Sequence, residues 1–204
     1  MKLNKKIAAG IFIMMLSTFF FGFELNPEGT IPKGWYKAGT SSESYEMGME
    51  KGTGNDGSNA AYIKSIKSDI KGFGVLFQAF SAEKYLGKRV RLSGYMKSKD
   101  VENSAGFWMR IEDKEDRSHP LGFDNMNNRP IKGNTDWRIY QVVLDVPENS
   151  SEIAFGGLLT GTGQIWFSNL KFEVVDKSVP TTDLSSLMNE QGEPVGPTNL
   201  NFQD

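Results

Sequence analysis

Trp108, Arg110 and Glu112 stand two residues apart in the stretch FWMRIE, residues 107–112. Side chains at every second position of a β-strand share one face. The spacing therefore sets an indole, a guanidinium and a carboxylate side by side, with Phe107, Met109 and Ile111 on the opposite face. An aromatic ring stacks on the C–H-rich face of a sugar, and neighbouring amides, carboxylates and guanidinium groups bond its hydroxyls. That chemistry is binding. Gln78 is the polar residue in an apolar run, GVLFQAF over 74–80, and must find a pocket or a partner. Asp124, Asn125 and Arg129, in a stretch dense with polar groups, suit the rim of a cleft. Structural roles stand beside these readings: Arg129 with Asp124 also fits an ion pair that holds their own loop, and Trp137 and Trp166 are expected to fill the core.

Reaction chemistry has less to work with. The chain has no Cys and a single His, His119, which removes thiol nucleophiles, disulfides and multi-histidine metal sites. Glu112, Asp113, Glu115 and Asp116 cluster in EDKEDR, 112–117, but alternating charge in a short hydrophilic stretch reads as a solvated hairpin tip. Glycosidase work needs two carboxylates facing each other across a bond, and His119, followed by Pro120, carries no sign of the packing that orients a triad histidine. No catalytic residue is assigned. GTGNDGS, 52–58, resembles a calcium loop only superficially: the alternating acids and closing Glu of an EF-hand are missing, so a hairpin turn is expected. No metal and no cofactor is expected.

These residues need a scaffold, and the scaffold reads as strands. From 35 to 175 apolar residues recur with period two, and no sustained 3.6 period appears. Strands are predicted around 45–49, 61–66, 74–80, 88–98, 107–111, 137–146, 152–160 and 164–175, with one helical turn at 82–86 closed by Gly87. Many short strands with almost no helix between them favour two stacked antiparallel sheets over a parallel α/β sheet.

The ends differ from the body. Lys2, Lys5 and Lys6 precede an uncharged run from Ile7 to Phe23, which reads as an export signal or an N-terminal membrane anchor over residues 1–23. The domain is placed at 24–176. Residues 177–204 read as an extended tail with a docking strand at 198–203, where Leu200 and Phe202 alternate. The formal charge of −2 offers no basic excess for nucleic acid, and loss of the three leading lysines leaves a mildly acidic body.

W-x-x-Y-x-x-x-L-x-V-P (Trp137 to Pro147), G-x-G-x-I-W-F-x-N-L-x-F-E (Gly161 to Glu173) and G-K-R-V-R-L-S-G-Y-M-K (Gly87 to Lys97) resemble the strands of carbohydrate-binding-module and galactose-binding-like jelly rolls. P-K-G-W-Y (Pro32 to Tyr36), F-D-N-M-N-N-R-P-I (Phe123 to Ile131) and P-T-N-L-N-F (Pro197 to Phe202) are similar to small bacterial proteins often labelled AraC-type transcriptional regulators. The resemblance implies an all-β jelly-roll sandwich. The regulator label goes with a helix-turn-helix unit, and no such unit is legible here. The expectation is a non-catalytic, extracytoplasmic module, secreted or membrane-anchored, that binds carbohydrate or another cell-envelope ligand through Trp108, Arg110, Gln78, Asp124, Asn125 and Arg129. The alternative is a protein-interaction or sensory domain.

Overall fold

The computed structural model describes residues 29–183, so the export segment at 1–23 and the docking strand at 198–203 lie outside the described residues. Among the described residues nine strands form the fold: β1 (Tyr36–Ala38), β2 (Tyr45–Glu50), β3 (Ala60–Ser65), β4 (Phe73–Ser81), β5 (Arg89–Asp113), β6 (Gly122–Asp124), β7 (Ile131–Asp145), β8 (Ser150–Thr160) and β9 (Gln164–Val175). All pairings are antiparallel. The predicted helical turn is a 3-10 turn at Glu83–Tyr85, and Gly87 ends it with a φ of 71°, a value that suits a residue without Cβ.

The strand order β1-β4-β8-β5-β9-β3-β2, with β6 and β7 also on β5, makes two layers of a jelly-roll sandwich from one continuous sheet. The 25-residue β5 is the hinge of this arrangement. Its first half, Arg89 to Lys99, lies between β7 and β9. Its second half, Ser104 to Asp113, lies along β8, with β6 paired at Met109 to Ile111. Between them the β7 register shifts repeatedly, at Ser98, Val101 and Ala105. Such irregularities bend a strand and increase its twist, which carries β5 from one layer into the other.

Alternation decides what each face meets. Phe107, Met109 and Ile111 on β5 are fully buried, as are Leu76 on β4, Met47 on β2 and Ile63 on β3. Phe107 and Phe167 cross edge to face between the layers at 6.1 Å. Gly157 on β8 makes room for this pair, because a Cβ there would lie 2.6 Å from the Phe167 ring. Trp35, just before β1, closes one end of the core with its ring 6.0 Å from Phe155 and 5.9 Å from Phe167.

Trp137 and Trp166 correct the sequence reading: both lie half-buried on the outer face of the β7-β5-β9 layer and flank Lys97, whose Nζ is 5.1 and 4.7 Å from their ring centroids. The cation spans the two rings, and Trp166 Nε1 donates to Glu50 at 2.9 Å. Ile165 and Phe167, its neighbours in sequence, take the inner face.

The segment after β9 runs back over the sandwich. Arg89 holds Asp145 with two bonds of 2.9 and 2.8 Å and bonds the carbonyls of Lys177 and Val179. Thr182 N donates to Val143 O at 2.8 Å, and Val143 N donates to Thr182 Oγ1 at 2.9 Å.

Candidate functional site

The outer face of the β1-β4-β8-β5-β6 layer carries a groove of about 680 Å³. The strand register sets the residues of this face in rows. Tyr36, Phe77, Gly156 and Trp108 form one row; Ala38, Val75, Leu158 and Gly106 form the next; Phe73, Thr160 and Ser104 form a third. Gly156 has no side chain to separate Phe77 from Trp108, and those rings meet at 6.0 Å. Arg110 pairs with Phe123 of β6, which extends the groove beyond β5. Over Gly106 lies Met126, fully buried, with a φ of 60°, so the loop after β6 folds back and presents Asn125 and Asn127 as one wall. Thr40, after β1, stands at the other end.

Three of the six residues singled out from sequence line this groove: Trp108, Arg110 and Asn125. Asp124 and Arg129 lie beneath it as a structural pair. Asp124 is fully buried on the inner face; its Oδ2 accepts from Arg129 Nη2 at 2.6 Å, and its Oδ1 accepts from Met126 N at 2.7 Å. Arg129 also donates to Asn128 Oδ1 and to the Gln141 carbonyl, so it braces the loop and does not face the groove. Gln78 pairs in register with Phe155, which puts it on the core-side face of β4, beside Gly34. It shares no row with Trp108.

Sequence reasoning passed over Phe73, Phe123, Leu158, Ser104, Thr160 and Asn127. Their apolar or small-polar types carry no signal of their own; the register of β8 and β6 against Trp108 is what gathers them.

The electrostatics are closely balanced. Among the described residues Arg110 is the one charged side chain that lines the groove. Its Nε donates to Glu112 Oε1 at 2.7 Å and its Nη2 to the Arg117 carbonyl at 2.7 Å. Trp108 Nε1 is buried and, like Glu112 Oε2, has no hydrogen-bond partner among the described residues. A buried donor left unpaired is costly, and this one lies out of reach of the groove, so the part of Trp108 that lines it is the ring.

The acidic stretch after β5 behaves differently. Asp116 accepts from His119 Nδ1 at 2.7 Å, and these bonds, led by that from Ser118, hold its carboxyl well below the ordinary carboxylate range. His119 is 86% exposed, and this trio lines no part of the groove. GTGNDGS forms the β2–β3 hairpin connection and is tied to β9: Asn169 donates to Asn55 and Asp56, and Ser168 Oγ to Asn55, at 2.9 to 3.1 Å. Among the described residues no group of three His, Asp or Glu side chains is placed to hold a metal ion.

This architecture defines the class: a jelly-roll β-sandwich with the fold of carbohydrate-binding modules. The chain is similar to the CBM22-1–CBM22-2 tandem domain of Paenibacillus barcinonensis Xyn10C, with a TM-score of 0.52 and 14% identity over 73% of this chain and 42% of that one. It is likewise similar to the C-terminal family 22 carbohydrate binding module of Clostridium thermocellum Xyn10B, with a TM-score of 0.50 and 13% identity over 72% of this chain and 89% of that one. These likenesses concern the fold. In sequence the chain is 44% identical over 173 residues to YbfP, an uncharacterized HTH-type transcriptional regulator of Bacillus subtilis (strain 168). The match takes in 84% of this chain and spans 57% of the regulator's length. No family model matches the chain.

Proposed function

We propose that the chain is a non-catalytic extracytoplasmic module that holds a carbohydrate, or another cell-envelope ligand, in the groove headed by Trp108. The observation that carries this reading is a groove in which the Trp108, Phe73 and Phe123 rings and the apolar Val75 and Leu158 stand beside Asn125, Asn127 and the hydroxyls of Thr40, Ser104 and Thr160. Convergent polar groups on an apolar concave surface are the pattern of a ligand site, and the jelly-roll likeness supports it. Among the described residues the single lining charge is engaged by Glu112, which gives a polyanion such as nucleic acid little field to follow there. Residues 1–23 supply the route out of the cytoplasm or a tether to its membrane, and deletion of that segment is expected to retain the protein in the cytoplasmic fraction.

The test is calorimetric titration with a panel of envelope and plant polysaccharides, with Trp108→Ala as control. Binding by the native chain that is lost in the variant, with an unchanged thermal midpoint, supports the reading. Absence of binding to every polysaccharide overturns it.

A second reading draws on the 44% identity to YbfP: the domain is a sensory or protein-interaction module, and the same groove meets a partner. Among the described residues the helical content is two 3-10 turns, so a DNA-binding unit of the regulator kind is not within them. Capture of a defined protein partner that Trp108→Ala abolishes, with no glycan bound, favours this second reading.

A further inference from the structure

After β9 the chain crosses the side of the sandwich from β7 to β6. Thr182 bonds Val143, and Asp183, the last described residue, accepts from the Phe123 amide at 3.1 Å. Phe123 lines the groove, so residues 184–204 set out from one of its rims. The opposite rim is β1, which ends the strand order and among the described residues pairs with β4 alone. Fully extended, residues 184–204 reach about 70 Å, whereas the four strand spacings from β6 to β1 come to about 19 Å. Length is no obstacle.

An edge strand such as β1 is a template for a further strand. The chain supplies a segment of that kind at 198–203, where Leu200 and Phe202 alternate with polar residues. Laid beside β1, those two side chains share one face and extend the rows that begin at Tyr36 and Ala38. Charge agrees with this placement. Residues 184–204 hold three acids, Glu190, Glu193 and Asp204, and no Lys or Arg, whereas Lys33 and Lys37, before and within β1, are exposed. Opposite signs favour the approach.

We infer that residues 184–204 are the resident occupant of the groove: they cross it from Phe123 and dock 198–203 as a further strand beside β1, so that a ligand must displace them to enter. The docking rests on the groove and the strand edge. Its consequence for a ligand rests on the carbohydrate reading above.

The chain has no Cys, so a nitroxide can be carried by one introduced thiol, Asn201→Cys, in the full chain. Position 201 lies on the strand face opposite to Leu200 and Phe202 and leaves their contacts intact. Amide NMR intensities are compared with the label oxidised and reduced. The amides of Ala38 and Val75 are expected to lose more than half of their intensity, and that of Val143, beside the point of departure, much less. Greater loss at Val143 than at Ala38, or no loss at either, overturns the inference. In the same labelled chain, Leu200→Asp with Phe202→Asp is expected to restore the Ala38 signal, and a signal that stays quenched overturns the docking. For a polysaccharide that binds the native chain, this double variant is expected to bind about tenfold more tightly, as for a groove open about a tenth of the time. Equal affinity overturns the displacement. If the label places the segment beside β1 and no polysaccharide binds even the double variant, the docking stands and the carbohydrate reading falls.

Discussion

Asp124 shows how a side chain that reads as a ligand contact serves the site from below. Its carboxylate has no solvent exposure and holds Arg129 and the Met126 amide together, which fixes the loop that carries Asn125 and Asn127. Removal of one partner of a buried pair leaves the other charge uncompensated. Asp124→Ala is therefore expected to destabilise the fold by about 3 kcal/mol, the lower end of such losses because Arg129 keeps a third of its surface in solvent. Urea unfolding of the variant checks this. Trp108 was legible from sequence, since a tryptophan between Phe107 and Met109 must oppose them. The same parity was available for Trp166, between Ile165 and Phe167, and for Gln78, two residues from Leu76 and from Phe80. Residue type outweighed position in those two expectations, and position is what the fold obeyed.

At the scale of elements, the clasp between the β2–β3 connection and β9 carries a pH dependence. Hydrogen bonds from Ser58 and Asn169 lower the Asp56 pKa from 3.8 to about 2. A carboxylate with a depressed folded-state value contributes stability above its unfolded pKa and loses that contribution as pH falls through the folded one. The clasp is thus expected to be complete above pH 4 and to weaken toward pH 2. Asp56→Asn should flatten that part of the curve, as thermal midpoints of the two proteins across the window will show. Other lowered acids, Asp145 and Glu173 among them, titrate alike in both proteins, so the difference isolates the clasp. A second prediction concerns β8: Gly157→Ala forces a Cβ against the Phe167 ring, and overpacking of this kind costs about 2 kcal/mol. Guanidinium titration measures it.

Most strands were legible because alternation over six or more residues leaves a clear trace. β1 and β6, three residues each, are too short to show a period. The continuity of β5 was hidden for another reason: KDVENS, 99–104, is polar enough to look like a loop, yet it is where the strand bends between layers. The groove was legible only as its β5 edge, because the rest of its floor comes from strands whose register no local pattern specifies.

At the scale of the molecule, the two layers share β5 and a single set of buried aromatics, so neither layer has a core of its own. One cooperative unfolding transition is expected, with fluorescence and circular dichroism tracing the same curve. Phe107→Ala, which empties the contact between the layers, should lower stability by about 4 kcal/mol without splitting that transition. Two separate transitions would contradict the shared-core architecture.

The pairing of β5 also sets an order of events in time. Its neighbours β6, β7, β8 and β9 all follow it in the chain. During synthesis the central strand therefore gains its partners one after another and lacks the last of these four, β9, until Val175 has been made, while the β2–β3 hairpin is ready much earlier. Closing contacts of such long sequence separation is slow. The export proposed above would draw advantage from that delay, since a polypeptide must stay unfolded to be threaded through a translocon and this one cannot close its sandwich until its last strand has arrived.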